Sequence, residues 1–301
     1  MIDNHQPFIN RAAKFVSKLM LPWGYRLTRS TPYVCRASHY KLPGKLKKNL
    51  DQSYLDSVEW QVQVKGFLES TGDEALYKIW EKIPLGHKWR HYFPTYEQTF
   101  GHLRNRPIRF LEIGIYKGAS LKMWREYFHK DSVIVGIDIE PKCSGFEDRD
   151  NNVFCRIGSQ SDPDFLKKVV DEFGPFDVIL DDGSHMVSHM IKSFNFLFDK
   201  GLSDHGIYFA EDTHTNFWQS HRDKSYSFID FSKDLVEIMH HHYLPNKSEP
   251  NFRVHSDERD SAFKVPNITT QIESISFLDS IAIIRKRLKN FAPVSIHQSD
   301  S

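Results

Sequence analysis

The chain has 301 residues, 40% hydrophobic and 26% charged, which is ordinary for a globular protein with a sizeable core. No apolar run approaches the roughly 18 residues of a membrane span, and the first residues lack the shape of a signal peptide. Three scattered cysteines (Cys35, Cys143, Cys155) without a Cys-x-x-Cys argue against a disulfide framework and a zinc ribbon, so a cytoplasmic home is expected. The net charge of +1 is unevenly spread: residues 1–50 hold ten Lys/Arg against Asp3, or +9, which leaves −8 for the rest.

Residues 7–20 carry Phe8, Ile9, Ala12, Phe15, Val16, Leu19 and Met20 at helical spacing, with Arg11, Lys14 and Lys18 off that face. The plain reading is an arm packed on the main domain. A sharper one is a peripheral helix on the inner face of an anionic membrane, and a cleaved organelle presequence is weaker. No nucleic-acid motif accompanies the charge, so no nucleic-acid partner is expected. Residues 30–50 read as a connector and 51–83 as helical. Residues 1–84 are thus expected to form a basic, mainly helical extension, 85–290 the main domain, and 291–301 a flexible tail.

From residue 108 onward, strand and helix patterns alternate. Strands are expected at Ile108–Ile115, Val133–Ile139, Val153–Ile157, Phe176–Leu180 and Ile207–Ala210. Helices are expected at Ser120–Phe128, Asp162–Phe173 (capped by Ser161 or Asp162), Val187–Lys200 and Tyr226–Tyr243. Two last strands, Glu273–Phe277 and Ser280–Arg285, meet at a Leu278-Asp279 turn. This order predicts an α/β, doubly wound, Rossmann-like sheet of seven mostly parallel strands with an antiparallel edge strand.

The chemistry gathers at strand ends. Phe176-Asp-Val-Ile-Leu-Asp181-Asp182-Gly-Ser-His185 and Tyr208-Phe-Ala-Glu211-Asp212-Thr-His214 each run from apolar residues into acids and a histidine. Side by side they would collect four carboxylates and two imidazoles, a hard-metal site with a candidate base. Earlier, Glu112-Ile-Gly114-Ile-Tyr116-Lys-Gly118-Ala-Ser120 makes a glycine turn into a helix. Asp138 ends the next strand about twenty residues on, where an acid can accept bonds from ribose hydroxyls. The glycines do not follow Gly-x-Gly-x-x-Gly. Glu112 would repel a pyrophosphate but suits a cationic ligand, which favours S-adenosylmethionine over NAD. Gly158-Ser159-Gln160-Ser161-Asp162 either contacts an adenine edge or caps the next helix.

Together, Leu111-Glu-Ile-Gly-x-x-x-Gly118, Ser120-Leu-Lys-Met-Trp124, Gly136-Ile-Asp-Ile139, Gly158-Ser-Gln-Ser-Asp162, Gly174-Pro-Phe-Asp-Val-Ile-Leu-Asp-Asp-Gly-Ser-His185 and Glu211-Asp-Thr-His-Thr215 resemble class I S-adenosylmethionine-dependent O-methyltransferases. The likeness is to the branch acting on macrolide sugars, the mycinamicin and macrocin enzymes. His87-Lys-Trp-Arg-His91-Tyr-Phe-Pro-Thr-Tyr96 and Ile275-Ser-Phe-Leu-Asp-Ser-Ile281 resemble it too. The resemblance covers roughly residues 85–285. It implies magnesium at the acceptor site, held by Asp181, Glu211 and Asp212, with His185 as general base. Glu112, Gly114, Tyr116, Gly118, Ser120, Asp138, Ser159, Gln160 and Asp181 are the expected cofactor residues. Ser159 departs from the Asp common in related loops, and the segment around 219–226 differs in length. The expected acceptor is a sugar-bearing small molecule or glycolipid, and a homo-oligomer is compatible with the sequence.

Other readings compete residue by residue. Asp182 reads as a turn or helix cap, His189 as surface, and His240–His242 as a helix end. Phe217 and Trp218 are either core or an apolar wall for a sugar ring. His214 is the reserve base. At the level of function, the rivals are a cephalosporin-hydroxylase-like metal enzyme, a non-catalytic S-adenosylmethionine-binding interaction protein and an NAD-dependent oxidoreductase.

Overall fold

The computed structural model describes residue 51 and residues 74–243 and 264–293. The amphipathic segment 7–20, the connector 30–50 and residues 52–73 lie outside the described residues. Every element below belongs to one compact unit, Ser57–Ser301. No described helix is long and apolar enough to cross a membrane.

The strands are β1 (Arg109–Ile113), β2 (Val133–Asp138), β3 (Val153–Ile157), β4 (Phe176–Asp181), β5 (Leu202–Ala210), β6 (Ile272–Leu278) and β7 (Ile281–Lys286). They form one sheet in the order β3-β2-β1-β4-β5-β7-β6. β1 to β5 are parallel, and β7 runs antiparallel between β5 and β6. The expected seven-stranded Rossmann-like sheet is present, with its antiparallel strand, β7, one in from the edge that β6 forms. The closing turn is Asp279-Ser280, one residue later than expected, with Ser280 at φ +66°. Strand order reverses between β1 and β4. In open α/β sheets ligands bind in the crevice beyond the strand C-termini at such a point.

Helices α1 (Ala75–Trp80), α2 (Tyr92–Phe100) and α3 (Ala119–Tyr127) cover one face; α4 (Pro163–Phe173), α5 (Val187–Phe196) and α6 (Phe228–Met239) cover the other. Successive strand residues point to opposite faces. Phe110, Ile134, Val178, Leu180, Phe209 and Ile283 thus pack with Tyr96, Phe100 and Trp124. Leu111, Val135, Ile179, Tyr208 and Ile284 pack with Leu166, Met190 and Phe194. Leu76 and Ile79 of α1 lie in the first of these cores, ahead of the expected domain start at 85. Asp162 caps α4 by accepting from the Asp164 and Phe165 N–H groups, one of the two caps expected.

Candidate active site

The glycine turn follows β1 directly. Gly114 has φ +99°, and a Cβ there would lie 2.1 Å from the Asp182 carbonyl oxygen, so only glycine fits between the β1 and β4 ends. Tyr116 has φ +53° and an exposed ring. Asp138 ties this turn down: Oδ2 accepts from the Ile115 and Tyr116 N–H groups at 2.8 and 3.0 Å, and Oδ1 from Glu140 N–H at 2.9 Å. Burial alone would raise its pKa, but these bonds outweigh it and hold the carboxyl below its ordinary value.

Glu112 is fully buried under α3, where Ser120 Oγ donates to it at 2.8 Å and Trp124 Nε1 at 3.1 Å. Burial, reinforced by the charge of Asp182, pushes its pKa up to about 7. The expected cofactor carboxylate therefore has both oxygens engaged beneath the turn. Gln160 is also buried: its Nε2 donates to Asp181 Oδ1 at 3.1 Å and its Oε1 accepts from Ser184 N–H at 2.7 Å, which links the β3 and β4 loops. Ser159 bonds Ser161 at 3.0 Å within the loop before α4.

The expected metal trio of Asp181, Glu211 and Asp212 is not the set the fold brings together. Asp181 shares the phase of Ile179 and faces α5, where Tyr208 and Ser193 donate to Oδ2 at 2.8 and 2.9 Å. Asp182 and Glu211 follow Leu180 and Phe209 and meet on the opposite face. There Lys88 Nζ reaches Asp182 Oδ2 at 2.5 Å and also pairs with Glu211, to which Tyr96 donates its hydroxyl proton. Asp182, expected as a cap, takes the place in the cluster expected for Asp181. The cause is strand alternation: Asp181, the last residue of β4, keeps the phase of Ile179, whereas Glu211 and Asp212 lie past the end of β5, where the left-handed backbone of Asp212 breaks the alternation and lets both neighbours reach one corner.

His185 and Asp212 both adopt left-handed backbone, each at φ +55°. His185 Nε2 lies 3.6 Å from Asp182 Oδ1 and 3.5 Å from Asp212 Oδ2. Asp182, His185 and Asp212 each offer a ligand atom within 4.8 Å of the others, the one such group among the described residues. Carboxylate oxygens with one imidazole suit a divalent cation, and Glu211 adjoins them through Lys88. Burial and repulsion from Asp182 raise the pKa of Glu211. Burial would raise that of Asp182 too, but Lys88 reverses the sign.

Several contributors carry no sequence signal of their own. Tyr92 donates to Asp212 Oδ1 at 2.6 Å and its oxygen is also hydrogen-bonded with Ser280 Oγ at 2.9 Å; burial, then Asp212, raises its pKa. Ser280, from the hairpin tip, also contacts His214 Nδ1. Asn216 is buried between the His185 carbonyl, 3.3 Å away, and the Phe228 N–H, 2.8 Å away. Lys88, Tyr92 and Tyr96 lay within a segment singled out only by resemblance. His189 bonds Ser184 at 2.9 Å outside the cluster. Trp218 is 40% and Phe217 46% exposed, so they are rim rather than core. The His214 ring lies 5.6 Å from Trp89 and 4.9 Å from Trp218, forming an aromatic lip beside the acids.

No family model matches the chain. It is 36% identical over 216 residues to the 8-demethyl-8-(2-methoxy-alpha-L-rhamnosyl)-tetracenomycin-C 3'-O-methyltransferase of Streptomyces olivaceus, covering 67% of this chain and 54% of the relative. It is 37% identical over 177 residues to the demethylmacrocin O-methyltransferase of Streptomyces fradiae, covering 54% and 44%. The chain thus spans about half the length of the curated relatives it matches. The MycE methyltransferase of the mycinamycin biosynthetic pathway, solved in complex with Mg, SAH and mycinamycin VI, superimposes with a TM-score of 0.58 at 26% identity, over 71% of this chain and 53% of that one. In sequence and in fold, the described part of this chain is therefore similar to S-adenosylmethionine-dependent O-methyltransferases of the tetracenomycin, macrocin and mycinamycin kind.

Proposed function

We propose that this protein is an S-adenosylmethionine-dependent, magnesium-assisted O-methyltransferase that acts on a sugar hydroxyl of a glycan, glycolipid or glycosylated metabolite. The observation that carries the reading is the juxtaposition of Asp182, His185 and Asp212 at the ends of β4 and β5, with the Gly114 turn packed against the Asp182 backbone. Donor and acceptor sites would then share a wall, as in-line transfer requires. The relatives' names and the MycE complex support the same cofactor, metal and acceptor class.

When bound, the sulfonium donor supplies an already activated methyl group, and magnesium would lower the pKa of the acceptor hydroxyl and fix its direction. The chain's own residues do the rest. Asp138 and the turn from Gly114 to Gly118 form the donor cradle, with Ser159 and Gln160 along its far side. Glu112 holds that cradle from beneath through Ser120. Asp182, Asp212 and Glu211 present oxygen ligands to the metal. His185 Nε2 takes the hydroxyl proton, and the flanking carboxylates of Asp182 and Asp212 stabilise the imidazolium that forms. Trp89 and Trp218 give a sugar ring an apolar edge.

The described cluster has one imidazole and two carboxylates, which does not match the two-His, one-carboxylate iron site of the hydroxylase alternative. Donor conversion measured against a panel of glycans and glycolipids, with magnesium or with iron and oxygen, tests the reading. Magnesium-supported conversion to S-adenosylhomocysteine is expected; turnover that needs iron and oxygen would sink it. Contact of residues 7–20 with an anionic membrane remains part of the proposal and fails if the full chain does not float with anionic vesicles.

A further inference from the structure

We propose that Lys88 is the built-in counter-cation of the carboxylate cluster and that a divalent cation entering at Asp182 and Glu211 must displace it. The inference rests on the metal reading above and deepens it by stating how the site is loaded.

One ammonium spans the two carboxylates that β4 and β5 bring together. Its Nζ is 2.5 Å from Asp182 Oδ2 and also pairs with Glu211. This is not a surface ion pair: the Lys88 side chain is 4% exposed and that of Glu211 1%. Two like charges enclosed this way are costly without a cation, so the metal-free fold needs one here. Lysine supplies a single charge on a flexible stem. A divalent cation carries twice that charge and binds several oxygens at once. Ammonium and metal would have to draw on the same oxygens of Asp182 and Glu211, so occupancy by one opposes occupancy by the other. Lys88 is also free of the regular framework, lying between α1 and α2 rather than within a helix or strand. Its side chain can withdraw without breaking a ladder or a helix. Asp212, held by Tyr92, stays in place to receive the metal, and His185, whose carbonyl accepts from Asn216, stays beside it as the base.

The test uses the full chain and Lys88→Met, which keeps the stem and removes the charge. Magnesium and manganese binding are followed by calorimetry. Affinity is expected to tighten about tenfold or more in the variant, while its metal-free melting temperature falls. In the wild-type chain, acylation of Lys88 read by mass spectrometry should be slow without metal and rise when metal saturates the site. This second measurement stands even if the variant does not fold. Metal affinity that is unchanged or weaker in K88M, or Lys88 acylation indifferent to metal, overturns the proposal and leaves the metal reading intact. If neither protein binds magnesium or manganese, the metal reading itself fails and takes this inference with it.

Discussion

At the residue scale, His185 is the sharpest prediction. His185→Ala should cut methyl transfer by about 10²–10⁴-fold while donor binding stays unchanged. Steady-state rates beside calorimetry check this; equal rates would remove His185 as the base. Asp138→Ala should act on the other half of the site. Losing three backbone N–H bonds to a carboxylate leaves the glycine turn untethered, and donor affinity should fall at least about tenfold. Glu112 gives a pH signature. With its pKa raised from 4.5 to about 7, the folded chain keeps a proton that the unfolded chain releases. Its contribution therefore favours the fold below about pH 4.5 and is lost as pH rises towards 7, on the order of 3 kcal/mol. Urea unfolding of metal-free Glu112→Gln across that window should show a shallower decline than wild type. The residue types of the site were legible because acids at the end of apolar strands have few other uses. Which of Asp181 and Asp182 joins the cluster follows from period-two alternation, yet resemblance assigned the metal to Asp181. Lys88 and Asn216 were not legible, since both act through contacts between segments far apart in sequence.

At the scale of elements, the site depends on close approach between loops. Gly114→Ala would set a methyl 2.1 Å from the Asp182 carbonyl at a backbone angle that L-residues rarely adopt. It should lower the melting temperature and weaken both donor binding and turnover; full donor affinity in this variant would contradict the packing described. The segment after β5 is clamped over α5: Asp223 Oδ1 accepts from Ser188 N–H at 3.0 Å, and Asn216 bridges His185 and Phe228. Asn216→Ala leaves a buried Phe228 N–H unpaired and should cost about 1–3 kcal/mol, read by urea denaturation. The strands, their order of appearance and the Asp162 cap could be read from apolar runs and capping chemistry. The insertion of β7 between β5 and β6, which brings Ser280 to Tyr92, could not, because sheet order is a long-range choice that local pattern does not encode.

At the scale of the whole molecule, two packed helical layers hold a sheet whose reversal between β1 and β4 sets the glycine turn beside the acidic corner, the proposed donor and acceptor sites. The proposed methyl transfer needs both halves: the acidic corner alone would bind a cation, and the glycine turn alone a nucleoside. A ligand bound only by the folded state should stabilise it, by about 2.7 kcal/mol at a hundredfold excess over its Kd. S-adenosylhomocysteine should therefore raise the melting temperature and NAD should not. The most direct measurement supplies S-adenosylmethionine carrying an isotopically labelled methyl group, with glycosylated acceptors, and locates the label in the product by mass spectrometry and NMR. The expected result is label on a sugar oxygen, dependent on magnesium and at least about a hundredfold slower to appear with His185→Ala. Label transfer that survives both chelation and His185→Ala, or label found on nitrogen or carbon, would contradict the account.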